Sequence, residues 1–233
     1  MSVFKFQYFD VQQSNDVHKV GTDSMLLAAF CRTFHPAEIL DVGTGTGVIS
    51  LIMAQYYTKA KIQAIELQKE AFLLAQKNFY SSPFSKRLTP ILGDVLQYQF
   101  DSTFDLIISN PPFYKKGFPS PDAQRNSARQ TTTFNFELFF KRAYDLLNSK
   151  GNIALIFPFE RKNELLQLGR NNELYASTVI TVNGKLHHPS RCIVFFSKSP
   201  SILEESEFTV RNEKGEYTDT YKVLTKDLHF NKL

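Results

Sequence analysis

The sequence predicts an α/β fold built on a mostly parallel central sheet, with helices on both faces and an antiparallel hairpin toward the C-terminus. Three observations carry this. Apolar runs of strand length alternate with helical patterns across residues 38–157, and such alternation joins parallel strands through right-handed crossovers. A glycine-rich turn, Asp41-Val42-Gly43-Thr44-Gly45-Thr46-Gly47, separates the first of these strands from its helix. The run at residues 104–109 is apolar at most positions, as expected of a central strand covered on both faces. The architecture is Rossmann-like, with its binding crevice beyond the carboxyl ends of the strands where strand order reverses.

Residues 4–8 alternate aromatic and polar side chains and read as a first strand. Thr22 and Asp23 precede the apolar run 25–30, which reads as a helix capped by them and closed off before Pro36. Strands are expected at 38–42, 62–66, 88–92, 104–109 and 153–157, with helices at 48–57 and 69–79 between them. In the second of these helices Ala71, Leu74, Ala75 and Asn78 fall at helical spacing. Phe136, Phe139, Phe140, Ala143 and Leu147 form the apolar face of another helix, which Gly151 is expected to end. The β-branched runs 178–182 and 192–197 read as a terminal hairpin. No linker, repeat or low-complexity tract divides the 233 residues. One domain is expected, with an N-terminal extension (1–35), a core (36–200) and a C-terminal strand extension (201–233).

An apolar fraction of 42% is enough for a full core. Cys31 and Cys192 stand alone, without the spacing of a disulfide framework or a zinc site, so a reducing compartment and no metal are expected. The start has no apolar signal core and no stretch reaches membrane-spanning length, so a cytoplasmic protein is expected. The net charge of +4 indicates no nucleic acid by itself. Residues 115–129 are locally basic, with Lys115, Lys116, Arg125 and Arg129 against Asp122 alone.

The glycine turn points to a cofactor. Its spacing is GxGxG rather than GxGxxG, and Asp41 precedes it. A carboxylate there disfavours a pyrophosphate and suits a ligand with a cationic amino-acid portion, which argues for S-adenosylmethionine over a nicotinamide dinucleotide. Gly43, Thr44, Gly45 and Gly47 would let the backbone approach it closely. Glu66, followed by Leu67, ends the second strand of the array and is placed to accept ribose hydroxyls. Asp94 follows the third and is placed to accept from an adenine amino group, with Val95 or Leu96 against the ring.

Asn110-Pro111-Pro112-Phe113 follows the fourth strand. Two prolines fix the backbone and remove two donors, leaving carbonyl oxygens toward the crevice. An amino nitrogen conjugated into a purine ring or a carbonyl is a poor nucleophile. The Asn110 side-chain oxygen and the Pro111 carbonyl would accept its two N–H groups and favour pyramidalisation toward the methyl donor. Phe113 would offer a face on which an extruded base stacks.

These motifs resemble those of class I S-adenosylmethionine methyltransferases acting on amide or purine amino nitrogens. Lys19-Val20-Gly21-Thr22-Asp23 before an apolar helix, followed by DVGTGTG and NPPF, resembles the bacterial tRNA(Val) adenine-N6 methyltransferase family over nearly the whole chain. The stretch 215–225 is similar to that family's ending, whereas Leu228-His229-Phe230 is less aromatic than the resemblance implies. The resemblance implies N6-methylation of the adenine 3′ of the anticodon, with Lys19, Thr22 and Asp23 near cofactor and base. It also implies a tRNA partner, with Phe113, Lys115, Lys116, Arg125, Arg129 and Arg191 on the nucleic acid; a monomer is expected. The competing readings are an rRNA guanine-N2 methyltransferase, a protein-glutamine methyltransferase and a non-catalytic RNA-binding protein. His187-His188-Pro189 reads as a surface loop, since a third metal ligand is missing.

Overall fold

The computed structural model of the chain describes residues 2–17, 19–112 and 134–230. An antiparallel ribbon of β1 (Ser2–Lys5) and β2 (Asp10–Gln13) leads into α1 (Thr22–Phe30). The alternating core follows: β3 (Glu38–Val42), α2 (Val48–Tyr56), β4 (Lys61–Glu66), α3 (Lys69–Ser81), β5 (Leu88–Leu92) and β6 (Phe104–Ser109). Next come α4 (Phe136–Leu146), β7 (Leu147–Pro158) and α5 (Lys162–Asn171). The hairpin β8 (Tyr175–Lys185) and β9 (His188–Ser197), the strand β10 (Glu204–Arg211) and α6 (Asp219–Thr225) come last.

The main sheet has eight strands in the order β10-β8-β9-β7-β6-β3-β4-β5. Every neighbouring pair is parallel except those made by β9, which runs against both β7 and β8. The chain steps outward from β3 through β4 to β5, then returns to β6 on the other side of β3. Strand order therefore reverses between β3 and β6, and a crevice opens there at the carboxyl edge.

Alternate residues of the central strands feed two cores. Ile39, Leu106, Ile108, Ala154 and Ile156 join Leu26, Leu27, Leu51 and Ile52 of α1 and α2. Leu40, Val42, Ile107, Ile153 and Leu155 face Phe136, Phe139, Phe140 and Leu165 of α4 and α5. Burial on both faces is why these strands read as continuous apolar runs.

Four local expectations are corrected. Neither Thr22 nor Asp23 caps α1: Gly21 is the N-cap, with no side-chain capping bond, and Asp23 is engaged elsewhere. Gly151 does not end a helix; α4 ends at Leu146 and Gly151 lies within β7. A Cβ at Gly151 would sit 2.9 Å from the Phe104 carbonyl oxygen, beside the register shift between β6 and β7, so close strand approach requires the glycine. The hairpin is not terminal, because β10 adds a parallel strand outside β8. The opening strand ends at Lys5 instead of Tyr8, and Phe6 makes a single bridge to His229.

Candidate active site

The ladder that builds the sheet continues into the loops at its carboxyl edge. Gly43 and Thr44 donate their amides to the Ile65 carbonyl at 2.9 and 3.3 Å, and Gly93 donates to the Glu66 carbonyl at 3.0 Å. Asp41, Glu66, Asp94 and Asn110 therefore come from adjacent strand ends, as the sequence predicts.

Asp41 is completely buried. Its Oδ2 accepts from Thr44 Oγ1 at 2.6 Å and Ser50 Oγ at 2.7 Å, while Oδ1 is buried with no partner among the described residues. Burial pushes its carboxyl up to about 6; the Ser50 and Thr44 hydroxyls and the Ser50 backbone amide pull it down, and the charge of Glu66 adds a smaller upward push. An unpaired buried acceptor costs about 1–3 kcal/mol, and a cationic N–H donor arriving at Oδ1 would offset this. That is the chemistry of the ammonium group of S-adenosylmethionine, so the residues present fit this cofactor.

Gly43, Gly45 and Gly47 all have positive φ, between 58° and 81°, a conformation side-chain-bearing residues rarely adopt. Open space lies where a Cβ at Gly43 would stand, as an approaching ligand needs, whereas one at Gly47 would meet the Phe79 ring at 2.4 Å. Gly47→Ala is accordingly expected to lower stability by about 2–4 kcal/mol through overpacking and backbone strain, read as a lower urea midpoint. An unchanged midpoint would contradict the packing of α3 on this loop.

The Gly45 amide donates to Glu66 Oε2 at 3.0 Å and the Gln68 amide to Oε1 at 2.9 Å. Each carboxylate oxygen keeps a lone pair for a ribose hydroxyl. Leu67 is 53% exposed directly beyond. Asp94 accepts from the Leu96 amide at 2.9 Å and organises a turn in which Gln97 and Tyr98 donate to its carbonyl. Val95 is half-buried against the second core, and its carbonyl accepts from Arg142 Nε at 3.2 Å. Three acids beside one glycine loop make the crevice suited to a cation.

Asn110 is half-buried at the end of β6, with Pro111 buried and Pro112 exposed. Its Nδ2 donates to Ser24 Oγ at 3.0 Å, and preceding Ser109 donates from Oγ to the Val42 carbonyl at 2.7 Å. The latter bond ties the Asn-Pro-Pro turn to the strand that carries the glycine loop. Arg191, on β9, donates from Nε to Asp23 Oδ2 at 2.8 Å and from Nη1 to the Ser190 carbonyl. It thereby anchors the first turn of α1, which holds Thr22 as well. Lys19 is exposed just before that turn. Phe113, Lys115, Lys116, Arg125 and Arg129 lie outside the described residues. His187 is exposed in the β8–β9 turn and His188 is exposed at the start of β9.

Three positions escape sequence reasoning. Ser50 stands in the apolar first turns of α2 and serves Asp41. Ser24, in the first turn of α1, meets Asn110. Buried Asn78 of α3 donates to the Thr46 carbonyl at 2.8 Å and makes two bonds with the Gln12 backbone, joining the glycine loop to the N-terminal ribbon. The signal for Ser50 and Asn78 is a polar residue on an apolar helical face. Ser24 has no such signal. Among the described residues no cluster of three or more His, Cys, Asp or Glu side chains is arranged to hold a metal. No described helix is long and apolar enough to cross a membrane.

The fold and this set of acids, glycines and Asn-Pro-Pro carbonyls define a class I S-adenosylmethionine-dependent methyltransferase. The model of the methyltransferase small domain matches residues 14–168. A tRNA1(Val) (adenine(37)-N6)-methyltransferase of Actinobacillus pleuropneumoniae is 35% identical over 98% of this chain and 97% of its own length. The enzyme of that name from Porphyromonas gingivalis is 34% identical over 97% of this chain and 94% of its own length. The chain belongs to the tRNA1(Val) (adenine(37)-N6)-methyltransferase family. Among solved structures, one described as a predicted O-methyltransferase from Agrobacterium tumefaciens has a TM-score of 0.71 at 19% identity, covering 88% of this chain and 96% of that one. A methyltransferase from Pyrococcus furiosus has a TM-score of 0.59 at 22% identity, covering 82% and 90%. These two likenesses speak for the fold alone.

Proposed function

We propose that the chain methylates N6 of the adenine at position 37 of tRNA(Val), acting as a single cytoplasmic methyltransferase unit, monomeric in solution. The observation that carries this reading is the placement of Asn110-Pro111 beside the glycine loop, on strands β6 and β3 paired in register at Ser109 and Val42. Bound S-adenosylmethionine supplies an electrophilic methyl group. Asp41 and Glu66 hold the amino-acid and ribose portions, and Asp94 with Val95 holds the adenine. Asn110 Oδ1 and the Pro111 carbonyl accept the two N–H groups of the target amine and orient its lone pair toward the methyl. No strong base is needed, because the nitrogen loses its proton readily once it has become cationic. Proximity and orientation supply most of the acceleration.

The test is methyl transfer to a tRNA(Val) transcript with adenosine at position 37, compared with one carrying guanosine there. Label in the first alone supports the reading, and equal label in both sinks it. From the sequence, Phe113 is assigned to base stacking and Lys115, Lys116, Arg125 and Arg129 to phosphate. Replacing Lys115 and Lys116 together by alanine is expected to weaken tRNA binding across sequences and flatten its salt dependence by about two counterions. An unchanged slope would take both lysines off the RNA.

A further inference from the structure

The hydrogen bond from Asn110 to α1 has a consequence for the chemical step. Asparagine presents two different ends, a carbonyl oxygen that accepts and an NH2 that donates. A purine amino group brings two N–H donors and a lone pair that must stay free for the methyl. Only the oxygen end of Asn110 serves it; the NH2 end would oppose its donors and compete for its lone pair. What the site requires is an amide held with Oδ1 toward the crevice before the base arrives.

Ser24 is placed to do this. It is 6% exposed, and its Oγ accepts from Asn110 Nδ2 at 3.0 Å. Among the described residues no donor reaches Asn110 Oδ1, so that end is left for a ligand. The serine is itself fixed in place. Asp23, the residue before it, is paired with Arg191 at 2.8 Å, and the Met25 amide after it donates to the Gly21 carbonyl. Arg191 pairs in register with Pro158 at the carboxyl end of β7, which brings the first turn of α1 over the same edge of the sheet that carries Asn110.

We propose that Ser24 is a positioning residue for methyl transfer, holding the Asn110 amide with its oxygen toward the target nitrogen, and that Asp23 and Arg191 keep Ser24 in place. This rests on the reading of Asn110 as the acceptor of the target amine. Removing the hydroxyl takes away the described partner of the NH2 end and leaves the amide free to rotate, so preorganisation is lost while the cofactor cradle is untouched.

Two measurements on Ser24→Ala and Ser24→Thr test it. In single-turnover transfer to tRNA, Ser24→Ala is expected to lower the rate constant about tenfold, the worth of one hydrogen bond of ordinary net strength. Affinities for S-adenosylmethionine and tRNA stay within about twofold, and Ser24→Thr, which keeps the hydroxyl, recovers most of the rate. In parallel, the Asn110 side-chain amide protons, assigned by their loss in Asn110→Ala, are followed by hydrogen exchange in the protein with S-adenosylmethionine. They are expected to be protected in the native protein and to exchange faster in Ser24→Ala. A native transfer rate in Ser24→Ala, a loss of cofactor affinity as large as the loss of rate, or unchanged amide protection each overturns the proposal. The exchange measurement needs no methyl acceptor. A native protein that leaves tRNA unmethylated would therefore sink the substrate reading, while the amide protons still judge Ser24; they also decide the matter if Ser24→Thr does not fold.

Discussion

Asn110→Ala is expected to lower methyl transfer about a hundred- to a thousandfold, the range found when a preorganised hydrogen-bonding group is taken from a reacting centre, while S-adenosylmethionine binds within about threefold of its native affinity. The side chain follows the end of β6 and takes no part in the described hydrogen bonds of Asp41, Glu66 and Asp94. Its described side-chain hydrogen bond, from Nδ2 to Ser24, is partly buried, so the fold loses little with it. What is lost is the acceptor that orients the target amine and keeps its lone pair free. Calorimetric titration of the cofactor and single-turnover transfer, measured on one preparation, separate the two quantities. A parallel loss of binding and transfer would mean that the substitution had disturbed the crevice and that the assignment of Asn110 to the target base is wrong.

Asp41→Asn is expected to act in the opposite sense on stability and on ligand affinity. The Asp41 carboxyl is raised from 3.8 to about 6 by burial, so the unliganded fold holds that proton more tightly than the unfolded chain does. Its charged form therefore weighs against folding in full above pH 6. The penalty shrinks as pH falls through 6 toward 3.8. At neutral pH it is on the order of 3 kcal/mol. A neutral amide of the same shape removes it, and the unliganded variant is expected to melt about 6–12 °C higher. The same change deletes the charge that would receive the cofactor's ammonium, and affinity is expected to fall about a hundredfold. In the native protein, S-adenosylmethionine affinity should be highest near pH 7, weakening below 6 as Asp41 takes up its proton and above about 8 as the cofactor's amino group loses its own. Thermal melts and calorimetric titrations from pH 5 to 8 check both halves. A variant that is less stable and binds normally would place the ammonium elsewhere.

The core of this fold is legible because each strand is bounded by residues with one physical reading. Strands β3 and β6 fall where their apolar runs predict them, since a strand covered on both faces leaves an uninterrupted pattern; β5, an edge strand with Thr89 and Leu92 exposed, also falls at its predicted bounds. The regions that the sequence leaves unread or reads otherwise have weaker or double-valued signals. Helix α5 buries only Leu165 and Gly169, and so narrow an apolar stripe does not stand out. Gly151 follows a helical pattern and looks like a cap, whereas the need it meets is a contact with Phe104 on another strand. The edge position of β10 is set by pairing with β8, which no local pattern encodes.

The candidate site divides along the same line. Asp41, Glu66, Asp94 and Asn110 could be read because each sits at a strand end, and the order of strands alone brings strand ends together. The roles of Ser50, Asn78 and Ser24 are harder to read, because these residues lie on helices whose docking is tertiary and their partners stand 9, 66 and 86 positions away in sequence. Thr22 and Asp23 were given capping roles by their position before an apolar run. The long-range pairing of Asp23 with Arg191 outweighs that local preference.

The central claim is transfer of a methyl group to N6 of a tRNA adenine. The most direct measurement is incubation of the protein with methyl-labelled S-adenosylmethionine and unmodified bulk tRNA, followed by nucleoside mass spectrometry. The expected result is labelled N6-methyladenosine, absent when Asn110→Ala replaces the native protein. Labelled N2-methylguanosine, or label found only in rRNA or on a protein glutamine, would contradict it.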